Sequence, residues 1–545
     1  MYKRQVILFK EVSNHIKAGS LNLKYSDKYK SIDEYLINDD YWNLNKKNLI
    51  ERANISRLNS FSKFIDNSKS ELSKQYETTN KNIYNNKHIK FNKDGKALVK
   101  TPKLENIPTN GCIDILGKEQ YLPLINILSD IRHSTDLSKA FTHYSRRTVK
   151  KQLADDLIYA ALIGLGCNIG VRKMGKISKG IGANKLDYTV RWYFSKENLD
   201  EANRRILHVI NNLSLPKIYN KNKKQLHTSS DGQKFSVGVP SLHSRYSYKY
   251  FGYGKGVSAY SFVDEQNKLF YSTIISTSER EAGYVLDGLM HNEEIESNIH
   301  STDTHGYSEI IFAVCNSLDI LFAPRIKNYK NQLLYTFKDE NRKSYLKKSY
   351  QILPSKNMHI DEVIIEQQWD NILKLLTSIK LKESKASEIL GRLSTYSKQH
   401  PLYRALKELG RIHKTIFLLR YLSETPLRQE IEKQLNKVEL SHQFAKAVFF
   451  GNNQEFKVGT KEEQEIALSC RHVIQNSIIL WNYLFISDKI SKSKTEEEHS
   501  KILAQLKYSS VMTWQHINLH GEYDFEVSSN NSGFDMKAIL ALEIE

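Results

Sequence analysis

The hydrophobic period of the chain changes just past Pro216, and that change narrows the fold more than any other feature. Before about Asn212, and again from Ser344 to about Phe450, apolar residues recur at helical spacing. The stretch between them reads as strands. Gln225–Ser230 is a short extended piece ending at Asp231-Gly232, and Lys234–Val239 alternates loosely. Gly256–Val263 and Lys268–Ser276 are β-rich runs joined by Asp264–Asn267, a hairpin signal. Ser278–Met290 reads as a helix, Ile299–Asp303 as a strand, Gly306–Leu318 as a helix and Leu321–Ile326 as a short strand. Strands followed by alternating helix and strand make a mixed α/β core. The predicted class is therefore α/β with large helical parts.

Helical readings cover most of the remainder. They include Lys10–Ala18, Ile32–Leu36, a long polar stretch over Arg52–Tyr84, and Leu124–Arg132, with Pro123 suited to its first turn. Lys150–Gly164 follows, then Asn198–Asn212, which Ser195 precedes as a start signal. Pro426–Phe449 and Lys461–Ile486 complete the set. Residues 85–110 are Lys-rich, polar and broken by two prolines, the pattern of a domain boundary. Residues 487–500 read as charged and exposed, and 521–532 as loop. A length of 545 residues suits about three or four domains.

Lys and Arg number 80 against 61 Asp and Glu, a net charge of +19. A basic excess favours polyanionic partners, although a general lysine bias would also produce it. The four cysteines lie far apart with no CxxC spacing, which excludes a disulfide scaffold and a thiolate zinc finger. No apolar run approaches the ~20 residues of a membrane helix, and the first residues lack a signal-peptide core. A reducing, cytoplasmic setting without membrane contact is expected.

Two aspartates stand where strands are expected to end: Asp231 in HTSSDGQKF and Asp303 in NIHSTDTHGYSE. Their small neighbours leave room for a hard cation and a phosphate. Two metal ions about 3.5–4 Å apart can activate an attacking oxygen and stabilise a leaving one. Two carboxylates rarely hold two ions, so a third acidic residue is expected. Spacing leaves it open, because acids crowd 424–439 and 461–465. The competing reading of each aspartate is an Asx turn or a helix cap. SRYSYKYFGYGKG, residues 244–256, sets Arg245, Lys249 and Lys255 among Tyr246, Tyr248, Tyr250, Phe251 and Tyr253. Such a strip can contact phosphates and stack on bases, or be a sheet-edge loop with surface tyrosines. Arg325 in FAPRIK and His305 could orient a phosphate. Trp514 and His516 fit a core or a site equally well. The glycine-rich NIGVRKMGKISKGIG lacks the GK[ST] ending of a phosphate loop, and neither GxSxG nor HExxH occurs.

At these residues the chain resembles the C-terminal portion of Tn3 family transposases. The matching blocks are SSDGQKFSVG (229–238), RYSYKYFGYGKGVSAYSFV (245–263) and STDTHGYSEIIFAVCNSLDILFAPRI (301–326). QLNKVELSHQFAKAVFFG (434–451), EEQEIALSCRHVIQNSIILWNYLF (462–485) and WQHINLHGEYDF (514–525) follow in order. The resemblance implies an RNase H-like catalytic core of DDE type carrying a helical insertion and flanked by helical domains. The implied parts are 1–110 (helical and linker region), 111–215 (helical domain), 216–340 (first part of the core), 341–430 (insertion), 431–490 (last part of the core) and 491–545 (C-terminal region). It also implies Asp231, Asp303 and Glu439 as catalytic carboxylates and metal ligands. Around Glu439, Val438 stands where a glycine is usual and Leu440-Ser441 where Ser-Arg is usual, while His442 is kept. His305, Arg325 and His442 become candidate phosphate or supporting contacts, and Arg245, Lys249, Tyr250 and Lys255 candidate DNA contacts.

The implied reaction is DNA 3′-end cleavage at element termini followed by strand transfer into target DNA, that is, replicative transposition. It needs Mg²⁺, for which Mn²⁺ may substitute, in two ions. The implied partners are terminal inverted repeats, target DNA, a second copy of the chain and a separate N-terminal recognition partner. The implied setting is the bacterial cytoplasm, on the nucleoid when DNA is bound. Family members carry several hundred residues ahead of the segment matching Met1. The alternative expectation is therefore a non-catalytic DNA-binding or regulatory remnant without end recognition.

Overall fold

The computed structural model describes the chain apart from residues 1, 27, 94, 104–110, 118–120, 146–151, 223, 224, 305, 339–341, 397–399, 494, 508, 526–532 and 545. In chain order its main elements begin with helices Phe61–Ile83 (α1), Leu124–Thr135 (α2), Asp155–Gly166 (α3) and Lys196–Asn212 (α4). Strands His227–Ser236 (β1), Lys255–Asp264 (β2) and Leu269–Ser276 (β3) follow. Then come helix Ala282–Met290 (α5), strand Ile299–Thr302 (β4), helix Glu309–Ser317 (α6) and strand Leu321–Phe322 (β5). Helices Pro401–Ser423 (α7), Thr425–Val448 (α8) and Lys461–Ser491 (α9) complete the frame. Shorter helices fill 342–347, 362–367, 369–380 and 386–395.

These elements fall into two compact units, each assembled from separate stretches of chain. One comprises residues 1–104, 280–291 and 298–433; the other comprises 105–279, 292–297 and 434–545. In the second unit β1, β2 and β3 are antiparallel with β2 in the middle, from Thr228 opposite Asp264 to Ser236 opposite Gly256. Every residue of β2 after Lys255 is buried, so both of its faces are covered. Phe235, Val257, Ala259 and Ile274 pack with Phe449, Phe456 and Leu468. Helix α9 lies against α2, α3, α4 and β3 and is buried nearly all round. Its polar side chains must therefore find partners inside. Asn476 satisfies both backbone groups of Leu269, at 3.1 and 2.7 Å, and Asn482 donates to the carbonyls of Val511 and Thr513. Trp514 is half-buried and stacks on Phe444, and His516 is buried.

In the first unit β4 and β5 run parallel, and α7 packs against α1 and α6. The α6–α7 crossing is close because position 410 is glycine. A Cβ there would lie 1.8 Å from the Glu309 carbonyl oxygen. Three antiparallel strands, then helix, strand, helix and strand, followed by a helical stretch before the last core helices, form an RNase H-like core with a helical insertion and flanking helices.

Two expectations need correction. Asp231-Gly232 does not end a strand: it lies in the middle of β1, because ladder pairing with Ser261 and Tyr260 overrides the turn preference of the dipeptide. The stretch Arg52–Tyr84 is not one helix. Asn54 takes a left-handed conformation (φ 56°), and Ser60 caps a new start by accepting the Lys63 N–H at 3.4 Å. The described residues of 487–500 are mostly exposed, as expected, although α9 continues to Ser491 with Ile490 buried and a further helix runs Glu496–Lys507. Ser195 likewise caps α4 as expected, accepting the Asn198 N–H at 3.2 Å. Ser195→Ala is expected to cost about 1 kcal/mol, read as a lower urea midpoint at unchanged slope. In the 521–532 segment, Tyr523–Asp524 pairs with Ser178–Lys179 and 526–532 lie outside the described residues. All four cysteines are free and buried.

Candidate active site

Strand alternation decides what Asp231 can meet. Ser229, Asp231 and Gln233 share one face of β1, and all three engage α8. Ser229 accepts from the Gln434 amide at 3.1 Å, and Gln233 donates to the His442 carbonyl at 2.9 Å. Between them the Asp231 carboxylate lies 3.9 Å from His442 Nδ1. Burial, reinforced by the nearby Arg471 charge, pushes His442 down to about 4. The imidazole is thus neutral at pH 7, and its approach to Asp231 is not an ion pair. Glu439 precedes His442 by one turn of α8 and is exposed; among the described residues it makes no hydrogen bond or ion pair.

Behind this face stand two side chains of α9 that the sequence reading missed. His472 Nε2 lies 3.3 Å from Ser261 Oγ, and Ser261 is the cross-strand partner of Asp231. Arg471 is 1% exposed, its guanidinium 5.1 Å from the Phe235 ring and 5.6 Å from that of Phe449. Its Nε and Nη1 have no acceptor among the described residues, and burial pulls its pKa down to about 9. Neither residue carried a signal, since each sits inside a helix otherwise read as core.

In the first unit Asp303 immediately follows β4. The Arg325 N–H donates to the Thr302 carbonyl at 2.9 Å, carrying the β4–β5 pairing on and setting Arg325 beside the aspartate. Asp303 Oδ1 accepts from the Thr304 N–H at 2.6 Å and from Arg325 Nη2 and Nε at 2.8 and 3.3 Å. Burial alone would raise this carboxyl, but those donors outweigh it and hold it below the usual carboxylate range. All these bonds fall on Oδ1; among the described residues Oδ2 has none. Arg325 Nη1 also reaches Glu432 on α8 at 3.3 Å, so two carboxylates offset its charge. Gly306 closes the turn: its N–H donates to the Asp303 carbonyl at 3.0 Å, and a Cβ there would meet Thr302 at 2.8 Å. His305 lies outside the described residues. Glu432 was hidden in the acidic crowd at 424–439, and only its pairing with Arg325 singles it out.

The basic and aromatic strip caps the β2 end of the second unit. Arg245-Tyr246 pairs with Lys255-Gly256, and Tyr248–Phe251 form one helical turn. Lys249 lies over Tyr250 at 4.9 Å and Lys255 over Tyr246 at 5.0 Å. Arg245 donates to the carbonyls of Leu242 and Ser244 at 2.7 and 3.1 Å. Among the described residues no three His, Cys, Asp or Glu side chains form a metal-binding group.

The RNase H-like core with its helical insertion and flanking helices is a fold of the DDE-type transposase class. Residues 126–523 match the model of the Tn3 transposase DDE domain. The chain belongs to that family. It is 32% identical over 525 residues to the transposase for transposon Tn1546 of Enterococcus faecium, covering 96% of this chain and 51% of that protein. With the transposase for transposon Tn501 of Pseudomonas aeruginosa it shares 28% identity over 524 residues, 95% of this chain and 52% of the other. The chain spans about half the length of the curated relatives it matches.

Proposed function

We propose that the chain carries the DNA cleavage and strand-transfer chemistry of a replicative transposase: hydrolysis at the 3′ ends of an element, then attack of the freed 3′-OH on target DNA. The observation that carries this reading is Asp303, an ionised carboxylate pinned through one oxygen and open at the other. Asp231, Asp303 and Glu439 fit a hard divalent cation by donor chemistry, all three being carboxylates, and they are the residues that would hold Mg²⁺ or Mn²⁺. When bound, two such ions would make an attacking oxygen a better nucleophile and absorb charge on the transferring phosphate.

The chain's own residues do the rest. Arg325 orients Asp303 and is itself charge-compensated by Glu432, so it fixes the carboxylate without leaving an unpaired cation beside it. His442, neutral, spaces α8 from β1 and sets the height of Glu439. Arg245, Lys249, Tyr250 and Lys255 would contact the DNA backbone. Terminal repeats, target DNA, a second copy of the chain and a separate N-terminal recognition partner belong to the same proposal, as does a cytoplasmic, nucleoid-bound setting. Among the described residues no helix is long and apolar enough to cross a membrane.

The test is nicking of DNA carrying the element's terminal repeats, with Mg²⁺, with Mn²⁺ and with chelator. Either metal should support 3′ nicking, and chelator should abolish it. Absence of cleavage with both metals, even with a recognition partner added, sinks the catalytic reading. Glu432→Gln discriminates Glu432 from Glu439 on α8. It keeps its hydrogen bond to Arg325, so nicking should fall by less than about tenfold.

A further inference from the structure

We propose that the tyrosine-rich turn at 246–253 is a stacking site for the unpaired bases of single-stranded DNA. The proposal rests on reading the chain as a DNA-processing enzyme and adds which form of DNA this turn takes. Tyr246, Tyr248, Tyr250 and Tyr253 are 69, 76, 50 and 91% exposed. Tyr253 sits between two glycines, and Gly252 (φ 56°) reverses the backbone so that the next ring stands away from the body of the unit. Tyr248 and Tyr253 meet edge to face, with centroids 5.8 Å apart and planes at 79°. Lysines lie over Tyr246 and Tyr250, but among the described residues none lies over Tyr248 or Tyr253.

Four aromatic rings held in water within one turn contribute little to folding, so what they can contact decides their use. Lys249 and Lys255 lie within the strip, Lys234 of β1 lies over Tyr250, and the three make it attractive to phosphate. A duplex offers a ring only phosphates and base edges, because its base faces are covered by neighbouring pairs. An unpaired strand offers both phosphates and open base faces, which is what interleaved lysines and tyrosines match.

The position agrees with the chemistry. Gly256, beside Arg245, is five residues along β2 from Ser261, the partner of Asp231. That is about 17 Å at strand rise, or about five base steps of a stacked strand. The turn is therefore placed to hold a strand that has left the duplex near Asp231.

Fluorescence anisotropy on the full chain tests the proposal, with labelled oligothymidylate and a blunt mixed-sequence duplex as probes. Tyr248→Ala/Tyr253→Ala should weaken oligothymidylate binding by about 30-fold or more and leave duplex binding unchanged. Tyr248→Phe/Tyr253→Phe keeps the rings and should bind oligothymidylate like the parent. Equal affinity of parent and alanine variant for oligothymidylate overturns the stacking site. So does an equal loss on both probes, which would make the turn a backbone clamp. In either case the transposase reading stands, because the parent still binds duplex. A parent that binds neither probe overturns both.

Discussion

Asp303→Asn is expected to lower metal-dependent nicking by about 10³-fold, with Asp231→Asn and Glu439→Gln doing the same, because each would remove one charge from the proposed site, whose ions would be worth several kcal/mol to the transition state. The asparagine is a clean probe at position 303. Its Oδ1 can still accept from Thr304 and Arg325, so the turn after β4 keeps its shape. Arg325 also keeps Glu432 as a partner. The stability cost should accordingly be small, about 1–2 kcal/mol for weakening a charge-assisted bond. Nicking and thermal midpoint, measured on the same preparation, separate the two effects. Activity retained within tenfold in a folded Asp303→Asn protein would remove Asp303 from the reaction and with it the proposed triad.

Gly410→Ala should be the most damaging single methyl group in the first unit. Alanine suits a helix interior better than glycine by about 1 kcal/mol, so an isolated α7 would gain. Here the added Cβ would lie 1.8 Å from the Glu309 carbonyl oxygen and 2.4 Å from its carbon. Those atoms belong to the first turn of α6 and cannot rotate aside as a side chain would. Overpacking of this kind costs about 3 kcal/mol, which exceeds the propensity gain. A fall in melting temperature on the order of 5 °C follows for a unit of this size. Calorimetry checks it, and an unchanged midpoint would show that α6 and α7 can separate freely. Because α6 begins six residues after Asp303, nicking should fall alongside stability.

The core was legible where side-chain period alone decides structure. The β2–β3 hairpin and α5, α6 and α9 form where their patterns lie, because burial on one or both faces leaves no competing arrangement. Legibility failed where local chemistry and long-range pairing disagree. Asp231-Gly232 reads as a turn to any local rule, yet β2 supplies a ladder along its whole length. Alternation along β1 puts 229, 231 and 233 on one face, but only the fold brings Gln434 and His442 to that face. Asn54 and Ser60, both with break signals, were overlooked inside a long polar run. At the site, Asp303 and Arg325 stood out because strand ends expose them. Glu432 and Arg471 did not, since an acidic crowd and an apolar helix give no sign of which side chain turns toward a charge or a ring.

The interleaving of the two units sets a timetable for synthesis. Residues 434–545 supply α9, against which α2, α3, α4 and β3 of the second unit are laid. Those elements emerge from the ribosome long before their cover does. At about 5–20 residues per second the wait between the end of β3 at residue 276 and the end of α9 at residue 491 lasts about 10 to 45 s. Throughout it, the part of β3 that α9 covers has no permanent neighbour. The nascent chain is thus a natural client for holding chaperones. A chain that stopped before α9 would lack the helix on which α2, α3, α4 and β3 are laid.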